Sequence, residues 1–191
     1  MEDNSIRNNA KNGVIIVSSA AGNTIGGNQI FANEADGVRV QSDTGNSVLS
    51  NKIFGNGGLG IDLDPDGVTS NDTDDPDTGA NNLQNFPVIS SATKNSITGD
   101  TTITGTLNSN PSQSFTVQCF VADDDPSGHG EGLIFLTEDT TVTTNADGDA
   151  SFSCVTPLRV AVGQTVSATA TNQASGDTSE FSERVGVSPG P

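Results

Sequence analysis

The sequence predicts an all-β chain of two unlike parts: a short parallel β-helix of about three coils, followed by an antiparallel β-sandwich. Three observations carry this expectation. Residues 4–64 repeat with a period of 23 to 24, and beyond residue 88 that period gives way to short runs in which apolar and polar positions alternate. Only 31% of the 191 residues are apolar, while Gly, Ser, Thr, Asn and Asp abound. Such a composition suits a turn-rich β protein or a disordered one, and the regular spacing of Val and Ile decides for order.

The repeat is read by superposing "NSIRNNAKNGVIIV" (4–17), "NQIFANEADGVRV" (28–40) and "NKIFGNGGLGIDL" (51–63). Asn4, Asn28 and Asn51 are 24 and 23 residues apart, and Ile6, Ile30, Ile53 and Gly13, Gly37, Gly60 keep the same intervals. "GNTIGG" (22–27) and "GNSVLS" (45–50) repeat between them. A period near 23 with β-branched runs fits one turn of a parallel solenoid with three short strands per coil, around Ile25, Ile30 and Val38–Val40 in the middle copy. Alternate Ile, Val and Leu point inward and stack coil on coil, glycines are expected at corners requiring positive φ, and Asn9, Asn33 and Asn56 are expected to stack as an internal ladder. The leucine frame of a leucine-rich repeat and the calcium-binding nonapeptide G-G-x-G-x-D are both missing.

The second part reads as strands at "TTITGTL" (101–107), "SFTVQCFVA" (114–122), "GLIFLTEDTTVTT" (132–144), "DASFSCV" (149–155), "QTVSATATN" (164–172) and "SEFSERVGV" (179–187). Asp147-Gly148 marks a hairpin. Six or seven short strands in about 100 residues suggest an immunoglobulin-like sandwich, although there is no Trp for the Cys–Trp–Cys hallmark. The boundaries fall at 1–64 (parallel β-helix repeats), 65–87 (acidic junction) and 88–191 (sandwich). Cys119 shares a face with Phe115 and Val117, and Cys154 with Phe152, so the two cysteines are candidates for a disulfide between strands, with two buried thiols as the alternative.

The repeat residues resemble the right-handed parallel β-helix repeats of secreted and cell-surface bacterial or archaeal proteins, in the pectate-lyase-like superfold. The succession of "DTGANNLQNFPVI", "GTL", "SGHGEG", "VTTNADGDASF" and "SATATN" is similar to the C-terminal region of large bacterial surface proteins. The resemblance implies architecture and an extracellular or cell-surface location. It leaves activity open, because the superfold hosts lyases, hydrolases, epimerases, adhesins and inert stalks.

Formal net charge is −17 with seven Lys and Arg, which speaks against nucleic acid and anionic membrane surfaces as partners. No apolar run approaches the roughly 18–20 residues of a membrane span. "MEDNSIRNNA" lacks the regions of a signal peptide and falls within a repeat, so the chain is expected to be part of a longer exported parent. A cut first coil exposes strand edges, from which either homodimerisation through that end or a disordered first coil is expected.

The chemistry centres on "IDLDPDGVTSNDTDDPDTGANN" (61–82), which holds seven aspartates and no Lys or Arg. Asp62, Asp64 and Asp66 before Gly67 match the first half of a calcium loop, and Asp72, Asp74, Asp75 and Asp77 can supply further oxygen ligands. An EF-hand is excluded, because Thr73 stands where its Glu belongs. The expected cofactor is Ca²⁺, with metal ligands Asp62, Asp64, Asp66, Asp72, Asp74 and Asp77, against the alternative of a bare acidic linker. Asp62 falls in column with Ile15 and Arg39 on the outer face, and Asp64 follows on the same side. Asp62, Asp64 and Arg39 (or Arg7) are therefore the weak catalytic candidates for a polysaccharide lyase or hydrolase. The absence of Trp and Tyr argues against a sugar-stacking groove. His129, Glu131 and Asp123 to Asp125 form a second metal candidate, a polar loop being the plainer account, and Ser127 with His129 is too closely spaced for a triad. The function expected is a non-enzymatic structural or interaction module of a larger surface protein, calcium-stabilised at the junction, with a polysaccharide or cell-surface partner. The alternative is a fragment of a polysaccharide-active enzyme.

Overall fold

The computed structural model describes residues 1–158 and 160–190. It is all-β, with short parallel sheets before residue 64 and two larger, mainly antiparallel sheets after residue 87, and no sheet closes into a barrel. Eight three-residue strands make the first part: β1 (Ser5–Arg7), β2 (Val14–Ile16), β3 (Thr24–Gly26), β4 (Gln29–Phe31), β5 (Val38–Val40), β6 (Ser47–Leu49), β7 (Lys52–Phe54) and β8 (Ile61–Leu63). They pair as β1-β4-β7, β2-β5-β8 and β3-β6. The chain therefore returns to each sheet once per repeat. Ile6 stands beside Ile30 and Ile53, Val14 beside Val38 and Ile61, and Ile25 beside Val48. Glu2 bridges Gly26, so the chain start runs in register along β3.

Period-2 alternation puts Ile25, Ile30, Val38, Val40, Val48, Ile53, Ile61 and Leu63 into one buried cluster. Truncating the fully buried Ile30, which stands between Ile6 and Ile53, to Ala removes contacts on both flanking strands and costs about 2–5 kcal/mol. The Gly13–Gly37–Gly60 column is explained by close approach and not by positive φ. A Cβ on Gly13 would meet the Gly37 carbonyl oxygen at 2.7 Å, and one on Gly37 would meet that of Gly60 at 2.6 Å. The left-handed corners fall in four other columns, Asp3–Gly27–Ser50, Asn8–Ala32–Gly55, Ser19–Asp43 and Gly22–Gly45, so glycine serves the corners at Gly22, Gly27, Gly45 and Gly55.

The expected asparagine ladder is present and has two companions. Asn9 Nδ2 donates to Asn33 Oδ1 and Asn33 Nδ2 to Asn56 Oδ1, both at 2.8 Å. Asn4, Asn28 and Asn51 form a second ladder, and Asn23 and Asn46 a third. In each, the same Oδ1 also accepts the backbone N–H of the preceding asparagine. The backbone N–H groups that open these turns are thereby satisfied without water, and among the described residues Asn46 Nδ2 is the one ladder amide left buried without a partner.

The second part comprises β9 (Val88–Lys94), β10 (Thr101–Asn108), β11 (Ser114–Asp123), β12 (Glu131–Thr143), β13 (Asp149–Thr156), β14 (Thr165–Asn172), β15 (Val185–Gly186) and β16 (Ser188–Pro189). The sheets are ordered β13-β10-β9-β16 and β12-β11-β14-β15, antiparallel throughout except for β16 on β9. Ile103, Leu107 and Phe152 of the first sheet share one core with Phe115, Val117, Val166 and Ala170 of the second. Cys119 on β11 and Cys154 on β13 are bonded across that core, closing a sequence separation of 35. A bridge of this span contributes about 2–4 kcal/mol by constraining the unfolded chain.

Three local expectations differ from the structure. β9 was not foreseen. The turn at 145–148 joins strands of different sheets and makes no hairpin, since β12 pairs with β11 and β13 with β10. Most of 179–187 is not strand either. Residues 177–182 are buried and divide their polar groups: Asp177, Thr178 and Glu180 bond the coils, while Ser179 and Ser182 bond Ala170 and Ala168 on the edge of β14 without forming a continuous strand.

Candidate functional site

The asparagine ladders run one way, with donors upstream and acceptors downstream. The last coil is therefore left with donors that have no following coil. The rest of the chain meets Asn56 Nδ2 and several backbone N–H groups with side-chain acceptors, while Asn51 Nδ2 turns back to the Ile25 carbonyl and Asn46 Nδ2 has no partner among the described residues. Asn56 donates its Nδ2 to Glu131 Oε1 at 2.6 Å and its N–H to Oε2 at 3.2 Å. Glu180 accepts from the amides of Leu63 and Thr69, both at 3.0 Å. Val48 N–H reaches Thr178 Oγ1 at 3.0 Å, Ser50 N–H reaches Gln118 Oε1 at 2.8 Å, and Gly45 N–H reaches Asp177 Oδ1 at 2.6 Å. The third ladder ends on Asn81 of the 3-10 turn Ala80–Leu83, whose Oδ1 accepts the backbone N–H of Asn46.

Apolar packing seals the same end. Phe120 and Phe181 belong to the coil cluster, their rings edge to face at 5.4 Å. A Cβ on Gly60 would stand 2.9 Å from the Phe181 ring, so only glycine admits this contact. Glu131 and Glu180 are buried, and burial pushes each carboxyl up to about 7 against the hydrogen bonds that favour the charged form.

The aspartates of 61–82 divide into two groups. In the first, Arg39 lies among Asp36, Asp62, Asp64 and Asp66. The Ile15–Arg39–Asp62 column is present. Asp62 does point away from the coil core, yet it is 0% exposed. The exit turn folds back over it, and Gly67 N–H donates to its Oδ1 at 3.2 Å. Its Oδ2 lies 2.9 Å from Arg39 Nη1 but out of line for a hydrogen bond, leaving an ion contact without one. Burial, with repulsion from Asp36, raises the Asp62 carboxyl to about 7 despite Arg39. Hydrogen bonding to Asp64 holds the guanidinium above its ordinary value.

The second group is Asp72, Asp75 and Asp77, each offering a carboxylate oxygen within 4.8 Å of the others. Asp75 is buried and held by Ser109 Oγ, Gln84 Nε2 at 2.9 Å and the Asn85 amide at 3.2 Å. Burial raises it to about 6, and burial together with Asp72 raises Asp77. The Oδ1 atoms of Asp72 and Asp77 are shielded from solvent without a hydrogen-bond donor. Among the described residues every ion pair involves Arg39 or Arg184, so this group has no protein cation. Its donor set is all hard oxygen, the kind that suits Ca²⁺ or Mg²⁺. Three carboxylates can hold a metal ion here.

Of the six aspartates expected as ligands, Asp62, Asp64 and Asp66 thus gather around Arg39. Asp72 and Asp77 gather with Asp75, and Asp74 stands outside that group, its N–H on Asn108 Oδ1. Asp62 and Asp64 bracket the guanidinium expected to act with them in catalysis. His129 Nδ1 faces the Phe181 carbonyl at 2.9 Å, Asp124 pairs with Arg184, and Glu131 turns to Asn56. The second metal candidate is therefore not assembled. Glu180, Asp177, Thr178 and Gln118 escaped the sequence reading. Alternation places Gln118 on the sheet face opposite Phe115 and Val117, but whether such a face meets water or coil is not local information.

No protein-family model and no curated protein matches the chain. Among the described residues no helix is long and apolar enough to cross a membrane, and the Cys119–Cys154 bond is compatible with an oxidising, extracellular setting.

Proposed function

We propose that the chain is a non-enzymatic structural or interaction module of a larger secreted or cell-surface protein. In this reading a short right-handed parallel β-helix is closed at its C-terminal end by an immunoglobulin-like β-sandwich, and Ca²⁺ at Asp72, Asp75 and Asp77 stiffens the connection. The observation that carries it is the cap. Glu131, Glu180, Thr178, Gln118 and Asp177 are spent on backbone donors of the last coil, which is structural work. The strongest catalytic candidate, Asp62, is sealed under the exit turn where a substrate cannot touch it. Ca²⁺ is favoured by the partnerless oxygens of Asp72 and Asp77. The test is thermal unfolding in EDTA and in millimolar Ca²⁺. A site filled to about 100 times its Kd adds about 2.7 kcal/mol, a rise of several degrees in Tm. An unchanged Tm would remove calcium from the proposal.

A polysaccharide-active or polysaccharide-binding surface is the second reading, and one observation favours it. Phe31 and Phe54 stack at 4.8 Å and 7° on the outer coil face, with Arg7 over the first ring and Lys52 over the second. Binding and turnover assays on pectate, alginate and neutral glycans discriminate, since the structural reading expects no turnover.

A further inference from the structure

The one-way ladders give the open end of the coils a defined chemistry. Asn4, Asn9 and Asn23 each donate to the next asparagine, at 2.9, 2.8 and 2.8 Å. Their other amide donations go to backbone oxygens, from Asn4 to Glu2 and from Asn23 to Ala20. Among the described residues no donor reaches the Oδ1 of any of the three, and all three residues are exposed. In the next coil the equivalent Asn28, Asn33 and Asn46 accept at that atom and are buried. Ile6, Val14 and Ala20 lie only partly buried against the coil cluster at the same end. The open end therefore combines an apolar centre with three outward-facing acceptors.

From this we infer that the open end is a docking surface for a solenoid coil of the same asparagine repeat, entering the chain at residue 1 and presenting donors. The register supports this entry. Met1 lies where the bridge of Glu2 to Gly26 places it, beside Ile25, and Ile25 in turn stands beside Val48. A polypeptide running into residue 1 therefore already follows the path of a coil. A second copy of the chain is the wrong occupant. Head to head, a copy sets acceptors against acceptors. Head to tail, it needs a donor end, and that end is closed by Glu131, Glu180, Thr178 and Asn81. The homodimer expected from an exposed strand edge is thus disfavoured by ladder polarity, although the apolar centre alone would permit it.

The test adds the missing coil. Residues 25–47 are duplicated ahead of Met1, so that the copies of Asn28, Asn33 and Asn46 fall above Asn4, Asn9 and Asn23. In a parallel variant these three added asparagines are replaced by Asp, which keeps their shape and removes the Nδ2 donors. The inference expects a rise in Tm on the order of 5 °C for the asparagine extension and most of that rise lost in the aspartate one. Hydrogen exchange is expected to show slowed amides in the added asparagine coil. Equal Tm for both extensions, or added amides that exchange freely, would overturn it. So would sedimentation of the unextended chain as a dimer that Asn9→Arg dissociates, because a second copy would then hold the surface.

Discussion

Two groups of aspartates, six residues apart in the chain, solve the same electrostatic problem in different ways. Asp62, Asp64 and Asp66, with Asp36 from the coil above, surround Arg39 and share that one internal cation, although Asp36, Asp62 and Asp66 also bring carboxylate oxygens within 4.8 Å of one another. Asp72, Asp75 and Asp77 converge as closely but receive only neutral donors, and two of their oxygens receive none. The difference teaches that an acidic stretch cannot be read as one site. Register supplies the first group with its cation, because Arg39 pairs directly with Asp62 on the neighbouring strand. The second group lies beyond the last repeat, where no strand column reaches it.

Removing the internal cation is expected to have the largest effect. Arg39→Met leaves Asp62 and Asp36 buried and uncompensated, which is expected to cost about 3–5 kcal/mol in EDTA by denaturant titration. Millimolar Ca²⁺ should return part of that loss, because the vacated group then has the composition of the second. A variant as stable as the parent would show that Arg39 does not neutralise Asp62. The next largest effect is on the second group. Asp72→Asn with Asp77→Asn should abolish the Ca²⁺-dependent rise in Tm and slightly raise Tm in EDTA, since like-charge repulsion is relieved.

A smaller and broader effect is pH dependence. Glu131, Glu180 and Asp62 have folded-state values of about 7 and Asp75 about 6, all above their ordinary values. The folded chain therefore binds more protons than the unfolded one between about pH 4 and 7, and stability falls as pH rises through that window. In EDTA, Tm at pH 5 should exceed Tm at pH 7.5. Glu131→Gln, which keeps an oxygen for Asn56, should flatten the slope. The smallest change is expected for Asp64→Asn. That side chain is 39% exposed, so its ion pair with Arg39 contributes about 0–1 kcal/mol, read as a Tm shift of at most a few degrees.

Much of the coil architecture was legible because repeats convert sequence distance into spatial neighbourhood. Once Asn4, Asn28 and Asn51 are aligned, the pairing of Ile6, Ile30 and Ile53 and the Asn9–Asn33–Asn56 ladder follow from period alone. The position of Arg39 beside Asp62 follows in the same way, but its consequence was missed, because a column gives adjacency and not the fold-back of Gly67 that buries the pair. In the second part, alternation found β10 to β14 and the faces of Cys119 and Cys154. It mistook 179–187 for a strand, since Phe181 and Val185 keep a strand-like phase while the backbone between them bonds in isolated steps to β14 and to the loop at 128–130.

The all-β class, the repeat register, the inward and outward faces of the strands and the excess of acid are written in the chain's local order. Those properties depend on short-range periodicity and composition. Which acids meet a cation, which remain without one, and which cap a strand edge depend on the folded arrangement. Neutralisation and hydrogen-bond satisfaction join residues such as Asn56 and Glu131, or Leu63 and Glu180, that are 75 and 117 positions apart. Pairs at that range have no period to announce them, and burial sets their energies only after both partners are in place.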